Sequence, residues 1–96
     1  MEPGRIELIN TGTTNPGGFT QDVAVSNENR LYRFTNNGSK NGGPGLMRIR
    51  ISRSIGWWTV ISVFDLERGR SVDLRGSSFT VTALTSLELY GTYDTI

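Results

Sequence analysis

Apolar and polar residues alternate with a period of two along most of this chain, the signature of strands with one buried and one wet face. Leu46 to Ser54 is the cleanest stretch: Met47, Ile49, Ile51 and Ile55 fall on one face, and Leu46, Arg48, Arg50, Ser52 and Ser54 on the other. Phe79 to Leu84 turns Phe79, Val81 and Ala83 inward and Thr80 and Thr82 outward. Arg5 to Ile9, Phe19 to Val25, Arg30 to Thr35, Ser71 to Leu74 (Val72 and Leu74 inward) and Ser86 to Tyr93 (Leu87 and Leu89 inward) read the same way. Trp57 to Leu66 differs. There Trp57, Ile61 and Val63 alternate with Trp58, Val60, Phe64 and Leu66, so both faces carry bulk, which predicts the most central strand or one covered by a partner.

Turn residues punctuate these segments. Asn10 to Gly18 and Asn36 to Gly45 are long Gly/Asn/Pro connections, Ser26 to Asn29 is a polar corner, and Glu67 to Arg70 and Gly76 to Ser78 are tight turns. No window carries a helical stripe free of Gly, Pro or β-branched residues. About eight short strands with regular turns predict an all-β fold: a two-sheet antiparallel sandwich, Greek-key or small jelly roll, with no substantial helix. An open barrel is the second choice. The 96 residues make one domain, 1–96. Its ends, 1–8 and 90–96, are candidate arms that cover sheet edges or reach onto a neighbouring subunit.

Composition agrees with strands and turns: 11 Thr, 9 Ser, 7 Asn and 12 Gly stand against 2 Ala, 1 Lys and 1 Gln. It also narrows the chemistry. There is no Cys and no His, which excludes disulfides, thiolate catalysis, Cys-based metal sites and the commonest general base. Unbroken apolar runs reach only two or three residues, so no stretch predicts a membrane span. Met1 to Asn10 lacks the basic and apolar regions of a signal peptide, so the expected location is cytoplasmic after synthesis, or a virion.

The remaining catalytic options are thin. A Ser/Lys pair would rest on Lys40, which sits in a Gly-rich loop that neither buries it nor gives it a cationic neighbour. Asp65 and Glu67 share a strand face, as glycosidic carboxylates would, yet both adjoin Arg68 and Arg70 and read better as solvated turn pairs. The carboxylates are too dispersed for a calcium loop, and residues 36–45 lack the phosphate-loop pattern and its following helix. Asn37-Gly-Ser39 spells a glycosylation sequon without a secretory context. No enzyme activity, cofactor or metal is expected.

Charge is the informative asymmetry. From Arg30 to Trp58 there are six basic residues (Arg30, Arg33, Lys40, Arg48, Arg50 and Arg53) and no acid; the remainder holds four basic and nine acidic residues, for a net charge of +1. The split predicts a basic hairpin and an acidic complement. Three readings compete for it: a self-assembly face that meets a neighbour's acidic side, a solvated face, and a single-stranded nucleic-acid surface using Arg30, Tyr32 and Phe34. Trp57 and Trp58, adjacent on a strand, point to opposite faces, so one is expected in the core and the other against a subunit, exposed, or serving as a carbohydrate platform. The expectation is a non-enzymatic structural or assembly module, homo-oligomeric or part of a larger particle such as a virion or phage capsid, of the capsid-associated (decoration) kind. The alternative is a small lectin-like carbohydrate-binding module using Trp57 or Trp58; nucleic-acid binding ranks third, and no membrane partner is expected.

Overall fold

The computed structural model describes residues 4–9, 20–23, 28–38, 45–84 and 88–96. Eight strands are present: β1 (Gly4–Ile9), β2 (Thr20–Val23), β3 (Arg30–Gly38), β4 (Met47–Ile55), β5 (Trp58–Leu66), β6 (Ser71–Gly76), β7 (Ser78–Ala83) and β8 (Glu88–Thr95). The described residues hold no helix, and so none long and apolar enough to cross a membrane. Sheet I has the order β1-β8-β3-β6 and sheet II the order β2-β7-β4-β5. All pairings are antiparallel. The pairs β1·β8, β2·β7, β3·β6 and β4·β5 each join strands equally far from the turn between β4 and β5. The chain is thus one long hairpin folded at Gly56-Trp57 and rolled until β3 meets β8 and β4 meets β7, the jelly-roll arrangement of two packed sheets.

The alternation of the sequence becomes the core. Ile6, Leu8, Tyr32, Phe34 and Leu89 from sheet I are buried against Val23, Met47, Ile49, Ile51, Leu66, Phe79, Val81 and Ala83 from sheet II, with Val72, Leu74 and Tyr93 half-buried around them. Phe34 and Phe79 join the sheets through tilted rings 4.9 Å apart, and Tyr32 meets Phe79 edge-on at 5.4 Å. Tyr32 and Phe34 are therefore core residues, which removes them as stacking partners for nucleic acid. At Gly91 the sheet leaves no room for a side chain: a Cβ would fall 2.5 Å from the Thr35 carbonyl oxygen.

Several expectations change. Trp57 to Leu66 is not the most central strand; β5 is the edge of sheet II and pairs with β4 alone, so apolar residues on both faces mark an uncovered strand. Neither tryptophan enters the core, because Trp57 occupies the turn and Trp58 starts the edge strand. The basic segment is no hairpin: β3 lies in sheet I and β4 in sheet II. Ile55 is exposed rather than buried, since β7 stops pairing with β4 at Ser52 and the end of β4 projects past it. Residues 4–8 and 90–95 are built into sheet I as part of β1 and β8, with β8 an interior strand. Phe19, Ala24, Val25, the 10–18 loop, Lys40 and Leu87 lie outside the described residues.

The sequence reads Asn36 to Gly45 as loop, whereas β3 continues to Gly38 around the buried Asn36. Its Nδ2 donates to the Gly45 carbonyl at 2.7 Å and the Leu66 carbonyl at 2.8 Å, while its Oδ1 accepts from the Gly38 N–H at 2.8 Å. The Asn36 backbone bonds Arg70 and Gly69 in the β5–β6 turn. One amide side chain thus ties β3 to the start of β4 and the end of β5, at the irregularity in the β3–β8 register.

Candidate functional site

The β4–β5 hairpin holds the exposed features of interest. Its two-residue turn starts at Gly56, whose φ of +62° is the left-handed value that primed hairpin turns need at their first central position. Ile55 and Trp58 close the turn as a directly opposed pair. In such a hairpin the closing pair is hydrogen-bonded and bonded pairs alternate along the ladder. Even-numbered residues of β5 therefore bond toward β4. Thr59, Ile61, Val63 and Asp65 point their N–H and C=O groups away from the sheet, into the open edge.

The side chains of that edge are apolar. Trp58 is 66% exposed, and Val60, Ile61, Val63 and Phe64 are 37 to 57% exposed. The register with β4 places Trp58, Val60 and Phe64 on the inner face of sheet II and Ile61 and Val63 on its outer face. At the hairpin tip Trp57 is 93% exposed and lies edge-on to Trp58, 6.3 Å between ring centroids. Soluble sheets normally blunt such an edge with Lys, Pro, a bulge or a cover. Trp58–Leu66 has no Lys and no Pro, and Asp65 is its single charge.

Elsewhere among the described residues, side-chain amides and hydroxyls cap particular backbone groups. Gln21 of β2 donates to the Arg5 carbonyl at 2.8 Å and accepts from the Glu7 N–H at 3.1 Å, capping two backbone groups of the β1 edge. Asn29 does the same for Ser54 where β4 outruns β7, donating to its carbonyl at 2.7 Å and accepting from its N–H at 3.1 Å. Ser77 bonds the Ser52 carbonyl with both its N–H and its hydroxyl. Among the described residues nothing caps the outward backbone of β5.

The arginines singled out by sequence are dispersed and largely engaged. Arg33 on β3 makes a forked pair with its cross-strand neighbour Asp73, 2.8 and 3.1 Å, and Arg48 on β4 makes the same pair with Asp65. The fork holds both carboxyls below the ordinary carboxylate value and both guanidiniums above theirs, the hydrogen bonds contributing most. Asp65, read from the sequence as a turn residue, is thus held by its cross-strand neighbour Arg48. Arg30 lies 3.7 Å from Glu28. Arg53 donates to the Arg75 carbonyl at 3.3 Å, stitching sheet II to β6. Arg50 is exposed on the outer face between Val63 and Thr80. So the structure brings Arg48, Arg50, Arg53, Trp57 and Trp58 together on one hairpin and leaves Arg30 and Arg33 on the other sheet.

Among the described residues no three carboxylates cluster as a metal site would require. Shallow open hollows occur beside the Arg33–Asp73 pair and along β1 and β8, away from the tryptophans. No protein-family model, curated protein or solved structure matches this chain. Sequence reasoning missed Gln21, Asn29 and Asn36. Their signal was weak, since an amide in a polar corner reads as solvated until the backbone it caps is known.

Proposed function

We propose that this chain is a non-enzymatic assembly module that works by adding its β5 edge to a partner, as a subunit of a larger particle of the virion or phage-capsid kind. One observation carries the reading: among the described residues nothing caps the outward backbone of a nine-residue edge strand that is apolar on both faces, while side chains cap backbone groups of β1 and the end of β4. An open apolar edge of this kind either pairs with another strand or aggregates. The particle context rests on analogy of fold, since jelly rolls build viral capsid and lectin domains, and architecture by itself does not choose among functions.

The charge pairs argue against nucleic acid. Arg33 and Arg48 spend their forks on carboxylates of their own sheets, and phosphate binding would have to break those pairs. A carbohydrate role has one specific support, the indole of Trp57 standing free at the hairpin tip.

Light scattering over a range of protein concentration tests the assembly reading. The wild type associates, and Val63→Lys, which places a charge on an already exposed position, stays monomeric. A wild type that remains monomeric throughout and binds a sugar through Trp57, with the affinity lost in Trp57→Ala, replaces assembly by the carbohydrate reading.

A further inference from the structure

We propose that the strand added at this edge is β5 of a second copy, running antiparallel about a two-fold axis at Ser62, so that two sheets of four become one continuous sheet of eight. The proposal rests on the reading of β5 as an assembly edge, and fixes its occupant and register.

Geometry limits the choices. A two-fold axis perpendicular to the sheet keeps inner faces on one side and outer faces on the other, so even residues oppose even and odd oppose odd. The groups free to bond belong to Thr59, Ile61, Val63 and Asp65, so odd–odd pairs must be the hydrogen-bonded ones. Centring the axis on Ser62, the middle residue of Trp58–Leu66, meets both conditions and overlaps the strand along its full length.

The side chains then match. Ile61 opposes Val63, Val60 opposes Phe64, Trp58 opposes Leu66, and Thr59 opposes Asp65. Aromatic, β-branched and hydroxyl–carboxylate pairs of this kind stabilise antiparallel sheets. Asp65, the one charge of the strand, keeps its fork to Arg48 and gains a hydroxyl on its other side. Ser62, exposed and small, occupies the axis, where two identical side chains come closest. Moving the axis to Val63 would set Asp65 against Ile61, and moving it to Ile61 would set Val60 against Ser62 and carry Asp65 past the end of the partner strand. The exposed apolar side chains from Trp58 to Phe64 amount to on the order of 500 Å² per copy, an upper limit on the apolar area that edge pairing covers, which with the backbone bonds fits a small, concentration-dependent interface below the roughly 800 Å² per partner of the standard size.

A single cysteine tests this, because the chain has none of its own. At a non-hydrogen-bonded antiparallel pair the Cα atoms lie about 4.5 Å apart, within disulfide reach. Under mild oxidation Ser62→Cys is expected to become almost entirely a covalent dimer. Thr59→Cys, whose two copies would lie about 20 Å apart in this register, should stay uncrosslinked. If the wild type associates by mass yet Ser62→Cys stays reduced, or Thr59→Cys crosslinks as readily, the two-fold register is wrong while the edge reading survives. If the wild type is monomeric at every concentration and Ser62→Cys does not crosslink, both fall.

Discussion

Gln21 completes the exposed edge of β1 at Arg5 much as a neighbouring strand would, its Nε2 2.8 Å from the Arg5 carbonyl and its Oε1 3.1 Å from the next outward N–H, that of Glu7. The edges β1 and β5 are therefore unlike. A side chain that imitates a peptide caps two backbone groups of β1, and among the described residues nothing caps the outward backbone of β5.

Gln21→Ala removes both bonds and reopens β1. Exposed hydrogen bonds contribute modestly, so the expected loss is about 1 kcal/mol, read as a lowered urea midpoint with an unchanged slope. Gln21→Glu keeps the acceptor for Glu7 and loses the donor for Arg5, and should fall between the two.

Asn36 carries more. Replacing it with Ala leaves two carbonyls and one N–H without their partner in a buried site, and about 3 kcal/mol or more of stability should go. Asn36→Asp is expected to be worse at neutral pH despite its near-identical shape, because a carboxylate set against the Gly45 and Leu66 carbonyls cannot donate. Urea unfolding of the two variants at pH 7 checks the order.

Acid should weaken the β4–β5 ladder through Asp65. Its carboxyl is held below the ordinary value of 3.8, chiefly by the Arg48 hydrogen bonds. A depressed folded-state value means the pair's contribution is complete above 3.8 and is lost as pH falls through the lower folded value. Asp65→Asn, compared in the monomeric Val63→Lys background, should therefore lower the urea midpoint slightly at pH 7, by an amount that shrinks as the pH falls below 3.8. A difference that does not shrink in acid would mean Asp65 acts through packing rather than charge.

The fold was largely legible because burial in a two-sheet sandwich imposes a period of two, and Met47-Ile49-Ile51 and Phe79-Val81-Ala83 obey it. What misled was Trp58 to Phe64. Apolar residues on both faces of a strand arise when it lies between two covered faces or when it lies under none, and periodicity does not separate these cases. The arginines misled for another reason: closeness along the chain suggested one basic patch, whereas the jelly roll sends β3 and β4 to different sheets and supplies Asp73 and Asp65 from β6 and β5 as cross-strand partners. The buried Asn36 had little sequence signal, since the two carbonyls it donates to lie 9 and 30 residues away and only the Gly38 N–H is local.

Hydrogen exchange of the β5 amides tests the central claim most directly. The N–H groups of Thr59, Ile61, Val63 and Asp65 face the open edge, whereas those of Val60, Ser62 and Phe64 bond β4. If β5 is an assembly edge, the odd-numbered amides gain protection as protein concentration rises and exchange freely in Val63→Lys, while the even-numbered ones stay protected in both. Odd-numbered amides that exchange equally fast at every concentration in the wild type would contradict the account.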